Sequence, residues 1–296
     1  MVRAAEGGDL EVIQLVMAAG ATEGAADALA LAGSEAAFNA IRPLCTALLA
    51  DPVESYGILL NSMMSELWEN AQRLLSLGVS PACPPSYRSD WGSPMGEGSA
   101  AGECADNDTV STAQGSSALY YAVHYAGCPA QLLAQILGHD AIKAQIAERA
   151  VPAPPRYGIG SLPHHVLLSA CRSAQALEAL LAAGFDPTDA SPFTGTTACH
   201  FFAFCNSELA PLLATAAPAV LHIKDADDAT PLHRLTGGGW AGKPYSPSQG
   251  VKRSEWADEG SILRATFALF LKLGADGELE DANGRKAKVP LFVVEE

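Results

Sequence analysis

The run Asp225-Ala-Asp-Asp-Ala-Thr-Pro-Leu-His233 decides how this chain is read. Thr230 carries a hydroxyl that can accept from an unpaired backbone N–H where a helix begins. Pro231 suits the first helical turn, because its missing N–H would have no intrahelical acceptor there. Leu232 is expected to pack inward, and His233 to tie the box to neighbouring backbone through its imidazole. Working outward, Gly195-Thr-Thr-Ala-Cys-His200 aligns with Asp228-Ala-Thr-Pro-Leu-His233, a step of 228 − 195 = 33 residues. Cys199 then falls on the inward Leu position, and His200 repeats the role of His233.

Further copies are looser. Gly115-Ser-Ser-Ala-Leu-Tyr120 has Ser117 for the threonine and Tyr120 for the histidine, and Gly158-Ile-Gly-Ser-Leu162 keeps less. The helix that should close each unit recurs more clearly, as Leu74-Leu-Ser-Leu-Gly78, Ser173 to Leu181 with Gly184 behind it, and Phe270-Leu-Lys-Leu-Gly274. Gly20, Gly78, Gly184 and Gly274 stand just past these ends, where a left-handed residue terminates a helix. Asn283-Gly284 opens another turn, 284 − 228 = 56 residues on, and the excess over one period sits in the Gly-, Pro- and Ser-rich stretch 237–258.

Together these features resemble ankyrin repeats, whose units of about 33 residues open on Asp-x-x-Gly-x-Thr-Pro-Leu-His and run hairpin, helix, tight turn, helix. Asp228 replaces the family glycine. The resemblance implies a mainly α fold: an ankyrin-repeat solenoid of stacked helix-turn-helix units with short β-hairpin fingers. Units are expected at about 1–21, 22–50, 51–80, 110–139, 156–185, 190–220 and 223–276, with a partial one at 277–296. They form a single array over 1–296 with inserted loops at 81–109 and 237–258. Unit 22–50 lacks a recognisable hairpin. Because a lone unit cannot bury its apolar stripe, each is expected to close the core of its neighbour.

Composition narrows the function classes. With 33 acidic and 18 basic residues the formal charge is −15, which opposes the counterion displacement that non-specific nucleic-acid binding needs. Seven scattered cysteines without a C-x-x-C pair read as reduced small side chains of a cytoplasmic or nuclear protein. No apolar run reaches the roughly 18 residues of a membrane span, so no membrane insertion is expected.

Chemistry-bearing motifs are weak. Gly158-Ile-Gly160 lacks the remaining glycine of a dinucleotide fingerprint, and Gly238-Gly-Trp-Ala-Gly-Lys243 is followed by Pro244 where a phosphate loop needs Ser or Thr. No Cys or Ser elbow of the kind that activates a nucleophile is visible. The expectation is therefore a non-enzymatic chain without cofactor or metal. A small metal-dependent helical enzyme built on His164, His165, Cys171 and Cys199 is the alternative from another class. A further one is a regulatory or targeting arm of a larger multidomain protein, motivated by the stretch from Ala4-Ala5 to Gly20-Ala21, which matches a repeat from its middle onward.

What the ankyrin resemblance implies for function is a scaffold or adaptor that grips another protein on its concave face. Reading positions off the boxes, Tyr121, His124, Phe201 and Arg234 face that groove, with Asp227 and Asp228 at a finger tip. Core packing against adjacent fingers is the competing reading for Tyr121 and, more strongly, for Phe201. Trp240 lies in the basic-aromatic loop 237–258, where a tryptophan docks either on the protein itself or on a partner.

Overall fold

The computed structural model describes residues 1–82, 84, 118–147, 164–191, 194–205, 208–236 and 256–287, and the chain divides into two compact units, 1–162 and 163–296. Among the described residues the protein is mainly helical. The first unit holds α1 (Val2–Glu6), α2 (Leu10–Ala18), α3 (Ala25–Ala30), α4 (Glu35–Ile41), α5 (Thr46–Ala50), α6 (Pro52–Met64), α7 (Trp68–Ser76), α8 (Ala118–His124), α9 (Ala130–Gly138) and α10 (Asp140–Ala147). The second holds α11 (His164–Ala170), α12 (Ala174–Ala182), α13 (Ala198–Cys205), α14 (Leu209–Ala216), α15 (Pro231–Leu235) and α16 (Trp256–Lys272). No described helix is long and apolar enough to cross a membrane.

Helix starts and stops follow local chemistry. Asp9, Ser34 and Ser173 cap α2, α4 and α12 by accepting from the N–H groups of Val12, Ala37 and Ala176. Asp51 caps α6 through Val53 and Glu54, ahead of Pro52 in the first turn. At the other end, Gly20, Gly78, Gly184 and Gly274 all have positive φ. Each helix there closes with a reversed bond, as in Val79 N–H to Leu74 and Phe185 N–H to Leu180. That is the glycine stop the sequence pattern predicts.

Packing alternates along each unit. In the second, α11 lies on α13 and α13 on α15, while α12 lies on α14 and α14 on α16. In the first, α1 packs on α3, α3 on α6 and α6 on α8, with α2 on α4. First helices inside a row, such as α3, α6 and α13, are therefore flanked on both sides by other first helices, which explains their composition. α3 buries Ala25, Ala28, Leu29 and Ala30, and α6 buries Tyr56, Ile58, Leu59, Leu60 and Met63 among others. Second helices bury a narrower stripe, such as Ala176, Leu177 and Leu180 of α12, the spacing of one helical face.

Polar ties join successive pairs. In the first unit, Asn70 Nδ2 of α7 donates to Ala30 O at 3.0 Å and Ala32 O at 2.8 Å, satisfying carbonyls left open at the end of α3. Gly33 passes so close to α1 that its N–H bonds Ala5 O at 2.8 Å. A Cβ at that position would lie 2.1 Å from Glu6 O.

One expectation is corrected. Among the described residues no β-strand forms, and the fingers are reduced to the isolated antiparallel bridges Ala190–Thr197 and Glu280–Lys286. The reason lies in the turns. Asp225 accepts from the N–H groups of Asp227 and Ala229 through one carboxylate oxygen, and its own N–H bonds Ala229 O. Asp281 repeats this with Asn283 and Arg285. A side chain holds each tip shut within five residues, leaving little backbone for a ladder. The expected loops 81–109 and 237–258 fall almost wholly outside the described residues.

Candidate protein-binding surfaces

The finger tips of the second unit form a row. Ala226 N–H donates to Thr194 O at 2.8 Å, and Ala282 N–H donates to Asp227 O at 2.9 Å, so each tip hangs on the one before it. Gly195, Asp228 and Gly284 occupy the same left-handed position, with φ of 66°, 53° and 70°. Asp228 adopts it at the modest cost an aspartate pays there. At Gly195 a Cβ would also sit 3.1 Å from Asp225 Cα, so the glycine there serves close approach as well as φ.

Beneath the row lie the histidines of the two boxes. His200 Nδ1 accepts from Thr197 N–H at 3.1 Å and lies 2.9 Å from the Thr197 hydroxyl, which leaves Nε2–H to donate to Ala229 O at 3.0 Å. His233 repeats the pattern with Thr230 at 3.2 and 2.9 Å and with Leu279 O at 3.0 Å. Each imidazole thus caps its own helix and reaches the next turn, as the sequence predicts. Both rings are the neutral Nε2–H tautomer, the only one that satisfies all three partners. His200 is fully buried. Burial pushes it down to about 4, against the opposing pull of the Asp225 carboxylate.

Arg234 departs from its predicted place in the groove, because it is 4% exposed. Its Nε donates to Asp225 Oδ2 at 2.7 Å and its Nη2 to Asp227 Oδ2 at 2.6 Å. Burial disfavours its charge, but the hydrogen bonds to Asp227 and Asp225 outweigh that and hold it above the ordinary arginine range. Arg234 is a strut under the finger tip. Asp225 is the buried member of the cluster, with Asp227 half-exposed and Asp228 exposed at the tip as expected. Phe201 is half-buried, with its ring 6.2 Å from that of fully buried Phe202. Trp240 lies outside the described residues.

Tyr121 and His124 lie in the first unit, at the end of α8, inside a larger ring cluster. Tyr121 stacks on Tyr125 at 6.2 Å and 15°, and His124 stacks on Tyr120 at 5.2 Å and 16°. Tyr125 is the hub, meeting His124 edge-on at 5.4 Å and Trp68 of α7 at 6.0 Å and 60°. Tyr120 is buried, whereas Tyr121, His124, Tyr125 and Trp68 are half-buried. The sequence reading missed Trp68 and Tyr125. The i, i+4 spacing of Tyr121 and Tyr125 was visible, but the partner from α7 was not.

The four residues of the metal-enzyme alternative are tied up separately. His164 Nδ1 accepts from Asp186 N–H at 2.8 Å, and His165 Nδ1 lies 2.9 Å from the Asp189 carboxylate. Cys171 donates to Leu167 O, and burial pushes its thiol up to about 12 and that of Cys199 higher still. Among the described residues no group of three or more His, Cys, Asp or Glu side chains converges on one point.

A cleft of about 660 Å³ opens between α4 and α7, lined by Glu35, Phe38, Arg42, Glu69, Arg73 and their neighbours. Arg73 lies over the Phe38 ring at 5.8 Å and donates to Glu69 at 3.1 Å and to Asn70 at 2.9 Å. No family model matches the chain, and no curated protein matches it.

Proposed function

We propose that this chain is an ankyrin-type repeat protein that acts as a scaffold or adaptor, holding another protein against its finger tips and first-helix faces. The observation that carries the reading is the repeated tie in the second unit. Two Thr-x-x-His boxes, 33 residues apart, each cap their own helix and bond the following turn, while the tips above them are linked rung to rung. Such an arrangement serves stacking and leaves the tips exposed at Ala226, Asp228 and Ala282, and half-buried rings such as Phe201 in this unit and Tyr121 in the first are of the kind that commonly anchors partners.

A protein is favoured over nucleic acid because the chain carries 33 acidic against 18 basic residues. No catalytic role is proposed: His164, His200 and His233 serve as backbone ties, His165 lies beside the Asp189 carboxylate, and the thiols of Cys45, Cys128, Cys171 and Cys199 are pushed up by burial.

Site-specific photocrosslinking tests this. A crosslinking residue at Asp228 or Tyr121 is expected to capture one defined protein in source cells. The same residue at Leu212, exposed on second helix α14, is expected to capture none. Equal capture from Leu212, or none from either Asp228 or Tyr121, would contradict the proposal.

A further inference from the structure

We propose that the corner formed by Trp68, Tyr125 and the Glu66 carboxylate receives an arginine side chain of the partner protein. This deepens the scaffold reading and rests on it. The two rings meet edge to face, 6.0 Å apart at 60°, with Tyr121 stacked on Tyr125, and both Trp68 and Tyr125 keep part of their surface exposed. Trp68 and Glu66 both border exposed Gly127: a Cβ there would sit 3.6 Å from Trp68 Nε1 and 4.0 Å from Glu66 Oε2. Glu66 is exposed on the turn before α7, with φ of 56°. Its backbone is set by bonds to Met63 O and, from Leu67, to Ser62 O. The carboxylate is thereby carried on a fixed turn on the same side of Gly127 as the Trp68 indole.

That combination selects a cation. Aromatic faces attract a positive charge through their quadrupole, and a carboxylate at the rim adds direct attraction. The described cations of the first unit do not supply one. Arg73 is held by Glu69 and Asn70, Lys143 is held by Asp140, and Arg3 and Arg42 lie on α1 and after α4. With a net charge of −15 the whole chain draws a basic partner toward it. Guanidinium suits the site better than ammonium, because it is planar, stacks on rings and is more weakly hydrated.

The test uses a fluorescent, end-capped Gly-Arg repeat octapeptide, with Gly-Lys and Gly-Glu counterparts, in anisotropy titrations at low salt. The Gly-Arg peptide is expected to bind more tightly than Gly-Lys, with no binding of Gly-Glu. Tyr125→Leu should weaken it about fivefold while Tyr125→Phe retains affinity. Glu66→Gln should weaken it about threefold, and Glu11→Gln, at an exposed site on α2, should not change it. Circular dichroism confirms that each variant is folded. Equal affinity of parent and Tyr125→Leu, equal binding of the Arg and Lys peptides, or no binding at all would overturn the proposal. Crosslinked capture from Tyr121 alongside such a failure would leave the scaffold reading standing and remove only the arginine site.

Discussion

Replacing His200 by leucine should remove a tie between successive helix pairs and, with it, part of the acid sensitivity of the fold. At neutral pH the variant leaves Thr197 N–H buried without its imidazole acceptor, whereas Ala229 C=O keeps the Asp225 N–H. One orphaned buried group costs about 1–3 kcal/mol, so a loss of about 2 kcal/mol is expected. The pH dependence comes from linkage. In the unfolded chain this histidine titrates near its ordinary value of about 6.5, and in the fold burial holds it at about 4. Between those limits the unfolded chain binds more protons, so stability rises with pH there. His200 therefore contributes its full share above about 6.5 and loses it as pH falls toward 4, on the order of 3 kcal/mol in all. The carboxyl of Asp281, lowered to about 2 by Arg285 and its turn N–H groups against the effect of burial, loses its contribution only further down. Urea unfolding followed by circular dichroism at pH 7.5, 6.5, 5.5 and 4.5 measures both effects. The parent should lose stability steadily across this series, and His200→Leu should start lower and fall less. A variant as stable as the parent at pH 7.5, with the same acid slope, would refute the reasoning.

Four further substitutions probe the remaining ties and close approaches. Arg234→Ala strands the buried Asp225 carboxylate and should cost about 3 kcal/mol, read as a lower urea midpoint and faster hydrogen exchange over 225–236. Asn70→Ala leaves the Ala32 carbonyl without its donor, while Ala30 O keeps the Ser62 hydroxyl, and should cost about 1–2 kcal/mol, with faster exchange confined to the first unit. Gly33→Ala forces a Cβ against Glu6 O at 2.1 Å and should destabilise the first unit by several kcal/mol or abolish its folding. Gly20→Ala, with nothing within 4 Å, should cost only its left-handed strain of about 1–2 kcal/mol.

The parts legible in the sequence were those fixed by local backbone chemistry. Gly78 or Gly184 past a Leu-rich run marks a helix stop regardless of what packs on it, and Thr230-Pro231 marks a start. His200 and His233 were readable because their ties begin three residues away within the same box. Arg234 was misplaced because its partners lie seven and nine residues back across a turn, a pairing that no helical spacing announces. The same turn misled the hairpin expectation: Asp225 and Asp281 close their tips through side chains, so the backbone ladder a hairpin implies does not form. Asn70 and Gly33 gave no signal at all, since their roles depend on α3 and α1, which the degenerate unit 22–50 hides. Trp68 needed the packing of α7 beside the end of α8 before it could be seen as part of a surface.

The central claim is that neighbouring finger tips are bonded to one another in register, and amide exchange at Ala226 and Ala282 addresses it directly. Both residues are solvent-exposed, so their amides would exchange at nearly the unprotected rate on isolated turns. Native-state exchange by NMR should instead show both amides strongly protected, because their acceptors are Thr194 O and Asp227 O on the preceding tips. Unprotected exchange at both positions in the folded protein would contradict the account.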